Sequence, residues 1–244
     1  MRKVYYLNSD FKLELNESSY ITLIIDSDLI NIDYELSNGD FNILVFNNSQ
    51  KDLVLNEKGY VKNASLNITY IELNDAIYKQ NNTLNVYKDS SLNINSIYLG
   101  VNVKNIVFNM YNLESNSLVK ITNNVVCLDD ADFSLDIIGN IVKKAKNSKC
   151  HQKSQCLTFG SPKKARVLPV LNIDENDVEA SHSLSSGTID EEVLFYMNAR
   201  GLNAKDALSL LLTSYLMPSE EFYRDYEDGL KIKDIADKKV SKIC

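Results

Sequence analysis

Proline and glycine are scarce in this chain, and tryptophan is absent. The 244 residues include 3 prolines and 8 glycines, and no proline precedes Pro162. Such a stretch suits uninterrupted β-strands, because proline cannot donate a backbone hydrogen bond within a sheet. Short alternating runs such as "FNILVF", separated by turn-like clusters such as "LSNGD", predict a mainly β body.

Several common sites and segments are also absent. The chain contains no Gly-x-Ser-x-Gly motif, no Walker loop, no dinucleotide fingerprint and no His-Glu-x-x-His motif, which argues against a self-contained hydrolase or ATPase. No apolar run approaches the roughly 18 residues of a membrane helix, and the start is too short in apolar residues for a signal peptide. We therefore expect a cytoplasmic protein that does not enter the membrane. A net charge of -7 argues against a surface that binds nucleic acid or anionic lipid throughout.

Short repeats predict how the β body is organised. "ASLNITYIEL" at 64–73 returns as "SSLNINSIYL" at 90–99 and more loosely as "FSLDIIGNIV" at 133–142, while "FNILVFNN" at 41–48 resembles "NIVFNMYN" at 105–112. Short strands without intervening helices suit a β-solenoid or a β-sandwich, and the self-similarity favours the solenoid. The abundant asparagine is either compositional drift or a structural feature of turns and stacked ladders.

The pattern changes to helical after residue 187, which predicts a β domain at 1–187 and a helical domain at 188–244. Thr188 to Glu191 match a capping box, Arg200-Gly201 would end that helix, and Asn203 would cap a second one. A third helix is predicted from Ser219, acidic first and basic later. The apolar stripe of the second helix comprises Ala207, Leu208, Leu211, Leu212 and Tyr215.

The chain has four cysteines, Cys127, Cys150, Cys156 and Cys244, which we expect to be thiols in a reducing compartment. Cys150, His151 and Cys156 are donors that zinc and iron accept. Their spacing matches no zinc finger or ferredoxin loop, and residues 150 and 156 would merely share a face of a strand. Buried cysteines that act as small hydrophobic residues are the alternative.

A basic block at 143–166 contains seven lysines and Arg166 without any acidic residue. Such a block inside an acidic protein could bind an anion or an acidic partner. The alternative is a solvated edge or loop.

His182 is one of only two histidines and lies in the small polar segment "EASHSLSSG". The small side chains on either side would leave its imidazole accessible for proton transfer or for metal ligation. The alternative is a surface or interface histidine that forms hydrogen bonds with the loop before the helix.

The segment "VLPVLNIDENDVEASHSLSSGTIDEEVLFYMNARGLNAKDALSLLLTSYL" resembles the C-terminal signature of the SufB/SufD family. The matching positions include Pro169, the Ala-Ser-His triplet at 180–182, Gly187 and Arg200-Gly201, in the family's order and spacing. Ser181-His182 resembles the SufD branch, with Ser183 in place of a glycine. The resemblance is specific over residues 150–217.

This resemblance implies a right-handed parallel β-helix followed by a small α-helical domain. It implies a non-catalytic, SufD-like scaffold subunit for iron-sulfur cluster assembly that pairs with a SufB-like paralogue or with itself. His182 would lie beside a transient cluster at the subunit interface and would ligate iron transiently, and some family members also bind flavin. The alternative is a smaller β-helix protein that serves as a structural or regulatory partner of the SufC-type ABC ATPase of this system and takes no part in cluster chemistry. The residues implied to dock the SufC-type ABC ATPase are Leu202, Ala207, Leu208, Leu211, Leu212 and Tyr215.

Overall fold

Two parallel sheets form the body of the molecule. In the computed structural model, residues 2–217 and 229–243 are described. The odd-numbered strands form an eight-stranded sheet in the order β1-β3-β5-β7-β9-β11-β13-β15, and the even-numbered strands form a seven-stranded sheet from β2 to β14. Each coil contributes one strand to each sheet, so the predicted β-solenoid is confirmed, with about 7 turns.

The bounds of the strands are β1 Arg2–Leu7, β2 Phe11–Leu15, β3 Ser19–Ile25, β4 Leu29–Ser37, β5 Asp40–Asn47, β6 Leu53–Lys62, β7 Ser65–Glu72, β8 Tyr78–Val86, β9 Ser91–Gly100, β10 Val103–Asn112, β11 Leu118–Cys127, β12 Asp132–Ile141, β13 Ser148–Thr158, β14 Lys164–Ile173 and β15 Val178–Thr188.

Alternation along each strand separates the interior of the solenoid from its outer surface. On β10, for example, every second residue from Lys104 to Asn112 is buried while the residues between them are partly exposed. Successive side chains of a strand point to opposite faces of the sheet. The inward side chains of both sheets therefore form one continuous hydrophobic core along the solenoid axis.

The closest sequence repeat marks equivalent coils, and the looser ones do not. Ser65 of β7 lies beside Ser91 of β9, 26 residues later, which confirms the first repeat. The looser copy at 133–142 covers β12 of the other sheet, and the pairing of 41–48 with 105–112 likewise joins strands of different sheets. These two looser similarities do not mark equivalent strands. Both sheets need the same inward and outward alternation, so their strands have similar sequences.

Asparagine is structural here, in stacked ladders and at corners. Asn56 Nδ2 donates to Asn31 Oδ1 at 3.0 Å, and Asn81 Nδ2 donates to Asn56 Oδ1 at 3.0 Å. Asn38 and Asn63 adopt positive φ angles of 56° and 49°, a conformation that asparagine tolerates better than most residues. The composition therefore reflects the solenoid itself.

Three described helices follow the solenoid: α1 Glu191–Ala199, α2 Ala204–Leu216 and α3 Gly229–Ile243. The capping box predicted at Thr188 was wrong, because β15 continues to Thr188 and the Asp190 side chain caps α1 by accepting from Glu192 N at 2.8 Å. Gly201, at φ 93°, follows α1, and the Asn203 side chain accepts from Asp206 N, as predicted. Residues 219–228 of the predicted third helix lie outside the described residues.

Helices α2 and α3 cover the outer surface of the eight-stranded sheet near the carboxyl ends of β5 to β13. Leu212, Leu216, Ala236 and Val240 share a buried cluster with outward residues of the sheet. Lys239 Nζ of α3 lies 2.5 Å from a carboxylate oxygen of Asp75 at the edge of that cluster. Among the helices that the structure describes, none is both long and apolar enough to cross a membrane.

Candidate functional site at the open end of the solenoid

The last coil leaves one end of the solenoid open. Within the described part of the chain, β15 pairs with β13 only and β14 pairs with β12 only. One side of each strand therefore presents backbone N–H and C=O groups without a neighbouring strand. Such edges pair readily with strands of another chain.

His182 lies on β15 beside Gln152 of β13. Gln152 is buried in the interior, and register partners on neighbouring parallel strands share a face of the sheet. His182 therefore belongs to the inward face, yet it is exposed because no further coil covers it. This agrees with the predicted accessibility, although the histidine lies on a strand and not in a loop.

The surroundings of His182 at this end are apolar. The inward neighbours Val178 and Ala180 on β15 and Leu171 on β14 pack against the core while remaining partly exposed. Leu184, the next inward residue after His182, is 43% exposed. A core with an open apolar end and one imidazole within it is a surface suited to a second protein subunit.

The other histidine faces the opposite way. His151 is the neighbour of Gln152 on β13, and its Nδ1 lies 2.8 Å from Ser181 Oγ on the outer surface of the sheet. Cys150 and Cys156 are buried on the inward face. The hypothesis of a metal site from Cys150, His151 and Cys156 was therefore wrong, and no group of three possible ligands occurs among the described residues.

The described cysteines are buried, as the alternative interpretation predicted. Burial raises the pKa of Cys150 to about 12. A hydrogen bond with Cys156, together with burial, raises the pKa of Cys127. Because the thiolate is the reactive form, Cys127 and Cys150 are poor nucleophiles and poor metal ligands in this fold.

Half of the basic block is neutralised by acidic residues on neighbouring coils. Among the described residues, four ion pairs involve this block: Lys149 with Glu179, Lys163 with Asp130, Lys164 with Asp132 and Arg166 with Asp136, at 2.6–3.8 Å. The acids lie outside the block in sequence, so the sequence pattern alone overstated its positive charge. The geometry favours the solvated interpretation of this block.

The predicted docking residues are mostly turned toward the protein. Ala207 and Leu212 are fully buried, and Leu208 and Tyr215 pack against the cluster beneath α2. Leu202 and Leu211 are partly exposed. The stripe therefore attaches α2 to the solenoid, and Ala207 and Leu212 are not accessible to a partner in this conformation.

Three other apolar side chains on the helices are accessible. Phe195 is 74% exposed and Tyr196 is 58% exposed on α1, and Leu210 of α2 is 54% exposed. α1 has no buried residue. We call Phe195, Tyr196 and Leu210 the helical apolar patch. The sequence pattern assigned docking to the face of α2 on which apolar residues recur most regularly. It did not identify these exposed side chains.

Residues 16–215 match the family model for the SufBD core domain of the SUF system for FeS cluster assembly. The chain belongs to this family.

The curated relatives are distant and longer. The chain is 28% identical over 149 residues to "Iron-sulfur cluster assembly protein SufD" of Bacillus subtilis, which covers 60% of this chain and 34% of the relative. It is 30% identical over 97 residues to the Escherichia coli protein of the same name, covering 40% and 22%. A SufBD family protein of Pyrococcus horikoshii is 32% identical over 80 residues, covering 33% and 18%. The matched region thus spans about a third or less of each of these relatives.

Proposed function

We propose that this chain is a non-catalytic, SufD-like scaffold subunit in iron-sulfur cluster assembly. The observation that carries the proposal is the open end of the solenoid, where His182 of the edge strand β15 lies among partly exposed apolar side chains. The family membership and the two relatives named SufD support the same role.

The open end supports pairing with a second β-solenoid. Leu184 and its inward neighbours would be covered by the end of a SufB-like subunit or of a second copy, and the free edge of β15 would gain a partner strand. An apolar centre bordered by polar groups that have hydrogen-bond partners is typical of stable protein interfaces. Pairing would place His182 at the centre of that interface.

His182 would then act on the nascent cluster. A neutral imidazole is a good ligand for iron, and the buried, protonated Cys127 and Cys150 leave the cysteine ligands and the sulfur to the paired subunit. The cluster is the substrate of this assembly and would reside there only transiently.

The helical apolar patch supports docking of an ABC-type ATPase. The chain has no nucleotide-binding motif of its own, so ATP-driven steps require a partner. Exposed aromatic side chains such as Phe195 and Tyr196 are common anchors of protein interfaces. Ala207, Leu212 and the rest of the buried stripe would hold α2 in place beneath the docked partner.

Pairing can be tested by a substitution that introduces one charged side chain at the open end. Leu184→Glu should abolish co-purification with a SufB-like paralogue, because it would bury an unpaired carboxylate in the interface. Leu29→Glu is the matched control, since Leu29 is similarly exposed on β4 near the opposite end. Retention of the paired complex by Leu184→Glu would contradict the proposed interface.

A further inference from the structure

Gln152 is buried beneath His182 with its hydrogen-bonding capacity half used. It lies on β13 as the register partner of His182 on β15 and is buried. Its Nε2 donates to the backbone carbonyl of Val170 on β14 at 3.0 Å. The side chain therefore spans the interior of the solenoid between its two sheets, from β13 to the edge strand β14.

The carbonyl oxygen of this side chain has no partner. Oε1 of Gln152 is buried without any hydrogen bond within the described residues. A buried acceptor without a donor destabilises the folded state, so a native structure retains one where something else requires it. The nearest coil toward the solvent is the one that carries His182.

Gly139 of β12 makes room for this arrangement. A Cβ at position 139 would lie 2.9 Å from Gln152 Nε2 and 2.6 Å from Cys150 Sγ. The amide group and the thiol thus meet in a space that only glycine leaves open. Because Nε2 bonds to Val170 and faces Cys150, its donor end is held, and Oε1 is the end left available.

We propose that Gln152 is the positioning residue for His182: its Oε1 accepts the proton of one ring nitrogen and leaves the other nitrogen free to bind iron. This inference rests on the proposed function of His182. Strands in a sheet lie about 4.8 Å apart, which brings the two register partners within reach of a side-chain hydrogen bond. Metal-binding histidines generally donate their second ring N–H to such an acceptor, and its loss typically costs about 10- to 100-fold in metal affinity.

The test reads the tautomer of His182 directly. Long-range ¹⁵N–¹H spectra of the full chain at alkaline pH, where an imidazole is neutral, report the two histidines of the sequence. We expect one tautomer for His182 in the native chain and an exchanging mixture in Gln152→Met. His151 is the internal control, because its partner is Ser181 on the outer face.

Three further variants separate positioning from folding. Gly139→Ala removes no hydrogen-bonding group but displaces the Gln152 side chain, so it should give the same mixture. Gln152→Glu keeps an acceptor oxygen and should restore a single tautomer. Ser154→Ala, two positions along the inward face of β13, should leave His182 unchanged.

Cluster loading of the paired complex completes the test. Gln152→Met should lower loading by about 10- to 100-fold, with rescue by Gln152→Glu. An unchanged His182 ring pattern in Gln152→Met would overturn the positioning role. A changed ring pattern, together with normal loading of a His182→Ala complex, would instead overturn the proposed function of His182 while keeping the hydrogen bond.

Discussion

Lys104 Nζ lies 2.7 Å from Glu72 Oε1, and both side chains are buried inside the solenoid. The ammonium group also donates to the backbone carbonyl of Asn74 at 2.7 Å, and the Asn47 amide donates to the second oxygen of Glu72 at 2.6 Å. This network joins corners of three successive coils. Its charges are tolerated only because each has several partners.

Removal of Lys104 tests the energetic cost of this network. Lys104→Met leaves Glu72 as an unpaired buried carboxylate and should lower the free energy of unfolding by about 3–5 kcal/mol. Urea unfolding of the purified chain measures the effect. The matched control is Lys149→Met, whose pair with Glu179 is exposed and should contribute less than about 1 kcal/mol. Equal losses in the two variants would contradict this account.

A second buried carboxylate predicts a pH-dependent stability. Burial raises the pKa of Glu57 from its ordinary value of 4.5 to about 7, although Tyr34, Tyr70 and Asn82 donate hydrogen bonds to it. Between these two values the folded chain holds a proton that the unfolded chain has lost, so stability falls as pH rises. The loss amounts to at most about 3 kcal/mol once pH exceeds the folded pKa.

Glu57→Gln isolates this contribution. Chemical unfolding at about pH 5 and about pH 8 should show that the native chain loses stability relative to the variant at the higher pH. The amide keeps the shape of the protonated carboxyl without its titration. Parallel pH profiles for the native chain and the variant would show that Glu57 does not titrate in this range.

Phe195 and Leu212 separate docking from packing on the helices. Phe195→Ala changes an exposed side chain and should alter stability by no more than about 0.5 kcal/mol, but should weaken ATPase binding by 2 kcal/mol or more, about 30-fold in Kd. Leu212→Ala opens a cavity beneath α2 and should cost about 2–5 kcal/mol of stability. Unfolding curves and a binding titration with a SufC-type ATPase measure both. The assignment fails if Phe195→Ala binds as tightly as the native chain.

The solenoid, with its alternating inward and outward residues, was predictable from the sequence. The alternation along each strand and the 26-residue spacing of Ser65 and Ser91 are patterns that the sequence shows directly. Of the proposed site, His182 could be predicted from the sequence. Gln152 could not, since it lies 30 residues earlier and only the register of β13 with β15 brings the two residues together. The exposed patch at Phe195 was missed for a related reason: an apolar period indicates a packed face but does not say which partner packs on it.

Cluster loading of the His182→Ala complex tests the central claim most directly. The full chain, a SufB-like paralogue and a SufC-type ATPase would be purified anaerobically as a complex, and iron and acid-labile sulfide would be measured after reconstitution. We predict an intact complex with at least about tenfold less cluster, while His151→Ala, on the outer face, loads normally. A His182→Ala complex that loads as much cluster as the native one would contradict the account.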